Sequence, residues 1–173
     1  MSASPSNSRV LLTVGPTREY LDDVRYFSNA STGQMGAAIA AECLSRGWQV
    51  SAVCGPLETA MPAGCEVASV TSAAEMLEAV KARFAKCDLF IAAAAVADYT
   101  PKTRFQGKLK KSADSLTIEL VKTADILAWA GENRRKGQTI VGFALESGVD
   151  MAASLEMAKQ KLSTKRCDLL VHN

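Results

Sequence analysis

The chain has 173 residues, 48% of them hydrophobic and 22% charged, with a net charge of +2. These are ordinary values for a globular protein, and the length is enough for one domain with a hydrophobic core. Its five cysteines are odd in number and none has C-x-x-C spacing, which argues against a disulfide framework or a zinc site and favours the reducing cytoplasm.

The two ends of the chain suggest one domain behind a short leader. Residues 1–8 are polar and lack the apolar core of a signal peptide, so we expect a disordered leader. No apolar run is long enough to span a bilayer, and we expect no membrane association. Residues 9–173 contain no linker or repeat, which predicts a single domain.

Strand and helix patterns alternate along that domain. Short apolar runs, several of them ended by Gly-Pro or by polar residues, predict strands. The predicted strands are residues 9–14, 49–54, 66–70, 88–94, 116–121, 139–144 and 168–171. Periodic apolar positions predict helices at residues 34–46, 125–132 and 151–162, and another that follows a capping box at residues 72–75. This order predicts an α/β fold: a Rossmann-like, three-layer, mostly parallel sheet with helices on both faces.

Ligands bind such sheets at the carboxyl ends of the strands. That edge gathers residues 15–18, 54–56, 94–98 and 143–146. Residues 24–36 lie at the same edge and open the first helix, where free N–H groups favour an anion. A plain capping loop, with Ser31 or Thr32 as N-cap, is the alternative.

Basic residues indicate the kind of ligand. Residues 100–115 form a polar, basic and aperiodic loop that could fold over a ligand as a lid. The basic groups are Lys108, Lys110 and Lys111 in this loop, and Lys161 and Lys165 on one face of the last helix. Two such clusters favour a polyanion such as a triphosphate, whereas the low net charge and few aromatics argue against nucleic acid. Each lysine alone could equally be a solvated surface charge.

Two common nucleotide motifs are missing. The first strand is not followed by G-x-G-x-x-G, and the second ends in Cys-Gly-Pro without an acidic residue for a ribose. The segment Gly33-Gln-Met-Gly36 lacks the Lys-Ser/Thr of a P-loop. A flavin- or nicotinamide-binding redox protein is therefore disfavoured.

Several motifs occur in a specific order and cover nearly the whole chain from Arg9. They are Gly15-Pro-Thr-Arg-Glu19, Val24-Arg-Tyr-Phe-Ser-Asn29-x-Ser-x-Gly-x-Met-Gly36, Ala94-Ala-Val-Ala-Asp-Tyr99, Lys108-x-Lys-Lys111, Val141-Gly-Phe-Ala144 and Lys161-x-x-x-Lys165-x-x-Asp168-Leu. In this order and spacing the chain closely resembles the phosphopantothenoylcysteine synthetase (phosphopantothenate–cysteine ligase) family, bacterial type.

The resemblance implies a two-step ligase of coenzyme A biosynthesis. CTP activates the carboxylate of 4′-phosphopantothenate as an acyl-cytidylate with loss of pyrophosphate, and the amine of cysteine then attacks the acyl carbon. The resemblance also implies Mg²⁺ and a homodimer. Bacterial members are often fused to a preceding flavin-dependent decarboxylase domain; this chain has no room for one, so FMN is not expected.

The same resemblance assigns site residues. It implies that Asn29 binds the acyl intermediate, with Arg25 beside it, and that Lys108, Lys161 and Lys165 contact the nucleotide phosphates. Its other implied nucleotide-pocket residues are Ala92, Ala93, Ala94, Asp98, Ala124, Asp125, Ile126, Leu127 and Phe143. For the alanines and Phe143, plain core packing explains the sequence equally well. For Arg25 the alternative is a surface salt bridge with Asp22 or Asp23.

Three departures from the family pattern leave a second interpretation open. Gln34 stands where many members have Lys, Thr123-Ala124 replaces Asn-Pro, and the chain ends at Asn173 before the family's usual C-terminal tail. The alternative is a nucleotide-binding paralogue of the same fold that has lost ligation.

Overall fold

The computed structural model describes residues 7–110, 114–144 and 151–172. In chain order the elements are β1 (Arg9–Val14), β2 (Arg18–Tyr20), β3 (Tyr26–Ser28), α1 (Gln34–Ser45), β4 (Gln49–Cys54), β5 (Glu66–Ser69), α2 (Ala73–Phe84), β6 (Leu89–Ala92), β7 (Tyr99–Pro101), β8 (Leu120–Lys122), α3 (Ile126–Glu132), β9 (Thr139–Ala144), α4 (Met151–Thr164) and β10 (Leu169–His172). The predictions for residues 1–6, Lys111 and residues 145–150 fall outside the described residues.

A six-stranded parallel sheet forms the centre of the domain, with the order β10-β9-β6-β1-β4-β5. The chain leaves β1 for β4 on one side and returns through α2 to β6 on the other. The carboxyl ends of β1 and β6 therefore lie where the strand order reverses, the usual place for a ligand in an open α/β sheet. The predicted Rossmann-like α/β fold is confirmed.

Each face of the sheet has its own hydrophobic cluster. Alternate residues of β1 point to opposite faces: Leu11 belongs to a cluster with buried residues of α2 and α3, whereas Leu12 packs with Ala40 and Cys43 of α1. Leu162 of α4 packs against the α2 and α3 cluster. The three layers and the helices on both faces are therefore as predicted.

The structure agrees with the predicted capping box and differs from the predicted N-cap of α1. The capping box at α2 is formed, with the Glu75 amide donating to Ser72 Oγ at 3.2 Å, and Gly47 stops α1 with a φ of 76°. At the start of α1, however, the N-cap is Gly33 and no side chain caps the helix. The alternative that Ser31 or Thr32 is the N-cap is therefore wrong.

Close packing explains the small residues at the start of α1. A Cβ on Gly36 would lie 2.4 Å from Val14 Cγ1, so only glycine allows the helix to approach β1 this closely. This contact holds the first turn of α1 against the carboxyl end of the central strand.

Two short antiparallel ribbons lie outside the main sheet, and the sequence did not predict them as such. β2 pairs with β3, and β7 pairs with β8. The strand predicted at residues 116–121 is shorter and shifted, since only Leu120–Lys122 forms a strand, and it pairs with β7 instead of joining the main sheet. The segment between β7 and β8 is the predicted long basic loop.

The amino ends of the strands are closed by ion pairs and hydrogen bonds. Asp88 pairs with Arg9 at 3.0 Å and with Arg135 at 2.7 Å. Gln138, 1% exposed, donates from Nε2 to the carbonyl oxygens of Phe84 (2.6 Å) and Cys87 (3.0 Å). The charged side chains named here and the buried Gln138 amide are therefore partnered within the fold.

No helix among the described residues is long and apolar enough to cross a bilayer.

Candidate functional site

A cavity of about 570 Å³ opens at the carboxyl edge of the sheet. Its walls come from β1, β6, β9 and β10, from the residues that follow β6, from the start of α3 and from the end of α4. The volume falls within the range of small-molecule sites. Most residues of the predicted nucleotide pocket line it: Ala92, Ala94, Asp98, Ala124, Asp125, Ile126, Leu127, Phe143, Lys161 and Lys165.

The alanine run after β6 forms the floor of this cavity, and only alternate residues face it. Ala92 and Ala94 line the cavity, whereas Ala93 packs with the α1 cluster on the opposite face of the sheet. Two buried threonines, one in β1 and one in the turn after it, hold the backbone of this alanine run through hydrogen bonds. Thr13 Oγ1 accepts from the Ala94 amide at 3.3 Å, and Thr17 Oγ1 accepts from the Ala97 amide at 3.0 Å.

Sequence reasoning missed part of the wall. The missed residues are Thr13, Val96, Tyr99, Lys122, Thr123 and Leu170. Thr13 lies two residues before the segment that was assigned to the ligand-binding edge, so extending that edge into β1 would have included it. Thr123 replaces a family Asn yet has a clear role here, since its Oγ1 donates to the Ala97 carbonyl at 2.6 Å. Lys122 lies at the end of the strand that was predicted too early.

Three lysines supply the positive charge of the wall: Lys122, Lys161 and Lys165. Lys161 and Lys165 lie one helical turn apart, as their spacing predicted. Lys165 Nζ pairs with Asp125 Oδ2, and Asp125 Oδ1 caps α3 by accepting from the Ala128 amide at 2.8 Å. The end of α4 and the start of α3 are thereby joined at the cavity.

Asn29 lies at the rim, outside the described wall, and contacts a wall residue. Its Nδ2 donates to the carbonyl oxygen of Val96 at 3.0 Å and more weakly to that of Ala95 at 3.5 Å. Both contacts are made by the side-chain nitrogen and none by the side-chain oxygen Oδ1. Among the described residues, nothing donates a hydrogen bond to that oxygen.

Arg25 and Lys108 are likewise outside the described wall. Arg25 pairs with Asp22 at 2.5 Å and donates to the Leu109 carbonyl at 2.8 Å. The predicted alternative of a salt bridge with Asp22 is thus present, although it is not a surface pair, because the Asp22 side chain is fully buried. The hydrogen bonds from Arg25 hold the pKa of the Asp22 carboxyl well below its usual range.

Residues able to bind a metal are few in the described ranges. No group of three or more His, Cys, Asp or Glu side chains there could hold an ion. The carboxylates on the cavity wall are Asp98 and Asp125.

The fold and the cavity together define a Rossmann-like α/β domain with a ligand-sized, lysine-lined cavity at its topological switch point. Residues 6–173 match the family described as "DFP: DNA/pantothenate metabolism flavoprotein C-terminal domain", and the chain belongs to that family. The resemblance drawn from the motifs is confirmed at the level of the family.

Curated relatives are longer than this chain. It is 44% identical over 174 residues to "Coenzyme A biosynthesis bifunctional protein CoaBC" of Bacillus subtilis, covering 99% of this chain and 41% of the relative. It is 41% identical over 176 residues to "Cysteine/Cysteine sulfinic acid decarboxylase" from an unknown prokaryotic organism, covering 100% of this chain and 48% of that relative. The chain therefore spans less than half of either relative.

A solved structure supports the same fold. The crystal structure of the C-terminal domain of the coenzyme A biosynthesis bifunctional protein CoaBC superposes with a TM-score of 0.84 at 38% identity. The match covers 98% of this chain and 80% of that one. The likeness thus extends over nearly all of this domain.

Proposed function

We propose that this domain is a phosphopantothenate–cysteine ligase that uses CTP. The observation that carries the proposal is the lysine-lined cavity at the switch point, in a domain that matches the C-terminal part of a coenzyme A biosynthesis protein. The carboxylate of 4′-phosphopantothenate attacks the α-phosphate of CTP and releases pyrophosphate. The cysteine amine then attacks the acyl carbon of the acyl-cytidylate and releases CMP.

The lysines serve the first step. A carboxylate that approaches a triphosphate is repelled by its charge, so catalysis needs positioning and charge neutralisation. Lys161 and Lys165 bind the phosphates from the end of α4, and Lys108 reaches them from the loop that follows β7. Lys165 exchanges Asp125 for a phosphate oxygen when the nucleotide binds, which keeps its ammonium paired in both states.

The remaining wall suits a nucleoside. Alanines at positions 92 and 94 leave room for the nucleotide to approach the backbone, and Leu127 and Phe143 offer apolar surface to a base. Asp98 adds a carboxylate to the cavity wall. We infer the preference for CTP over ATP from the family alone. The pyrophosphate-release assay should therefore compare the two nucleotides.

Asn29 acts on the acyl intermediate at the rim. An amide can donate to the acyl carbonyl oxygen and does not repel the reacting carboxylate as Asp would. Its Nδ2 donates to the carbonyls of Val96 and Ala95. Binding exchanges the weaker of these contacts, the one to Ala95 at 3.5 Å, for the substrate oxygen.

Magnesium fits the donor set of the cavity. Mg²⁺ is usually bound by one or two carboxylates together with substrate phosphates, and Asp98 and Asp125 are the described carboxylates on the wall. When bound with the nucleotide, the ion would neutralise phosphate charge.

We further propose a homodimer formed through the β7–β8 ribbon. Tyr99, Leu120 and Val121 of this ribbon are 48%, 40% and 39% exposed. A two-stranded ribbon is only marginally stable alone, and apolar side chains exposed in this way are typical of an interface. Analytical ultracentrifugation should give twice the monomer mass, and Val121→Lys should shift the species toward monomer.

Pyrophosphate release tests the function directly. With phosphopantothenate, cysteine and Mg²⁺, we expect release that saturates with CTP and is weaker with ATP. Lys108→Gln should raise KM for CTP, whereas Lys86→Gln, an exposed lysine at the end of α2, should not change it. CTP binding without any pyrophosphate release would contradict the ligase.

The same experiment decides on the second candidate, a paralogue that binds nucleotide without ligation. One observation favours it: Gln34, where many family members have Lys, is exposed in the first turn of α1. Restoring the charge with Gln34→Lys should raise activity if this position limits ligation, and should change only nucleotide affinity if ligation is lost.

A further inference from the structure

The backbone on both sides of Lys108 is bound to the connection between β2 and β3. The Gly107 amide donates to Asp23 Oδ2 at 2.7 Å, and the Gly107 carbonyl accepts from the Asp23 amide at 3.3 Å. The Leu109 amide donates to Asp22 Oδ2 at 3.0 Å. Lys108 thus extends from a segment that is fixed on either side of it.

Asp22 is the centre of this attachment. Its side chain is 0% exposed although it is charged, which is rare unless the charge is paired and fully hydrogen-bonded. The carboxylate accepts from the amides of Val24 (2.9 Å) and Arg25 (2.7 Å), from the Arg25 guanidinium (2.9 and 2.5 Å), and from Leu109.

Arg25 completes the link. Its Nη2 contacts Asp22 and also donates to the Leu109 carbonyl at 2.8 Å, so both backbone polar groups of Leu109 are bound by this pair. Charge-assisted hydrogen bonds are stronger and geometrically more restrictive than neutral ones. The carboxylate therefore fixes the local turn and the lysine segment with the same two oxygens.

We propose that Asp22 is a positioning residue that holds Arg25 and the segment around Lys108 in one arrangement, and so sets where the Lys108 ammonium can reach. The proposal rests on the role of Lys108 in the proposed function. The part of the basic loop that leads to Leu109 is therefore an arm anchored at Asp22 and Asp23.

A purely local role for Asp22 is the competing explanation, because the same carboxylate accepts from the amides of Val24 and Arg25 and would shape their turn in any case. The two explanations differ in what happens to Leu109. If Asp22 holds the arm, then removing its charge must loosen a residue 87 positions away in the sequence.

Amide hydrogen exchange tests the anchoring without any need for activity. Asp22→Asn should speed exchange at Leu109 about tenfold or more, because a hydrogen bond to a charged group contributes roughly 1.5–3 kcal/mol. The matched control is Asp88→Asn, which removes another arginine-paired carboxylate at the opposite edge of the sheet and should leave Leu109 unchanged. Unchanged exchange at Leu109 in folded Asp22→Asn would overturn the proposal.

A double-mutant cycle tests the link to Lys108. Asp22→Asn and Lys108→Gln should each raise KM for CTP about tenfold, and the double variant should be little worse than Lys108→Gln alone, because coupled residues are not additive. If the effects of the two single substitutions on KM multiplied in the double variant, Asp22 would act independently of Lys108. That result would refute the positioning role. If the wild type releases no pyrophosphate, the proposed function has failed, and the same cycle is then measured as CTP affinity by titration calorimetry.

Discussion

The two edges of the central sheet carry similar charges but use them differently. At the amino edge, Asp88 is shared by Arg9 and Arg135, and Asp168 pairs with Arg134 at 3.0 Å. Each of these guanidinium groups has a carboxylate of the protein as partner. These three arginines are therefore neutralised within the fold.

The carboxyl edge surrounds an open cavity of about 570 Å³. Lys122, Lys161 and Lys165 line its cavity, against the carboxylates of Asp98 and Asp125, and small alanine side chains form its floor. Basic sequence runs alone do not separate the two edges, since Arg134-Arg135-Lys136 is as dense a run as that around Lys108. What separates them is the open volume of the cavity beside Lys122, Lys161 and Lys165.

The largest effect is expected at the rim of the carboxyl edge. Asn29→Asp should keep CTP binding and lower product formation on the order of a hundredfold or more, the cost of losing one key transition-state donor. A carboxylate at this position would repel the carbonyl oxygens of Val96 and Ala95 and the reacting carboxylate. Pyrophosphate release and product formation should be measured side by side.

Asn133 offers a matched control for that substitution. It too donates its side-chain amide to a backbone carbonyl, that of Trp129 at 2.8 Å, but at the far end of α3. Asn133→Asp should leave turnover unchanged. Loss of CTP binding in Asn29→Asp would show that its role in the second step is wrong.

A substitution at the amino edge should lower the stability of the fold and leave the kinetics unchanged. Gln138→Met keeps the shape of the side chain but leaves the Phe84 and Cys87 carbonyls without this donor, which should destabilise the fold by about 1–3 kcal/mol. Urea unfolding should show the loss, with KM for CTP unchanged. An exposed counterpart, Gln106→Met, should have little effect on stability. A large change in KM for Gln138→Met would break the division between the two edges.

Acid should remove the stability that the Asp88 ion pairs contribute at the amino edge, and this loss should be smaller than that caused by Gln138→Met. Hydrogen bonds from Arg9 hold the pKa of Asp88 well below its ordinary value, against the opposing effect of desolvation. A lowered folded-state pKa means that the ionised pair stabilises the fold above about pH 4 and loses this contribution as pH falls through the folded pKa. Asp88→Asn should therefore show a shallower loss of stability between about pH 4 and pH 2. If Asp88→Asn and the wild type lost stability equally steeply over this pH range, the prediction would be wrong.

The smallest effect concerns the thiols, of which the buried ones should be inert in the native domain. Burial raises the pKa of Cys54 to about 11, so its thiol stays protonated at pH 8. Cys65 is the partly exposed cysteine and should react first with an alkylating reagent, whereas Cys54 should react only on unfolding. Mass spectrometry after a timed pulse gives the order.

Much of the fold could be predicted because its strands are apolar and its turns are marked. The buried run at residues 9–14 and its Gly-Pro stop, for example, gave β1 with the bounds the structure shows. The β2–β3 and β7–β8 ribbons were not predictable in the same way, because three-residue strands with exposed side chains have no periodicity to read. Their pairing depends on tertiary contacts.

The site was predicted in part for similar reasons. The strand-end rule and the family motifs led to Ala92, Ala94 and the lysines of α4, which the structure brings to one cavity. Which alanines face that cavity was not decidable, because a run of identical small residues has no pattern, and Ala93 faces the other layer. Asp22 could be taken only for a surface partner, since its burial depends on a segment more than 80 positions later.

Asp125 both pairs with Lys165 and caps α3, and this has a practical consequence. Trp129, one turn into α3, donates its amide to the Asp125 carbonyl at 2.9 Å, and its ring packs on Phe84 with centroids 5.3 Å apart. An anion that draws Lys165 away from Asp125 must alter the electric field at this end of α3. The other tryptophan, Trp48, lies in the turn between α1 and β4. We therefore expect the fluorescence of Trp129 to change when an anion binds, so that ligand titrations can be followed without a label, with Trp129→Phe as the reference.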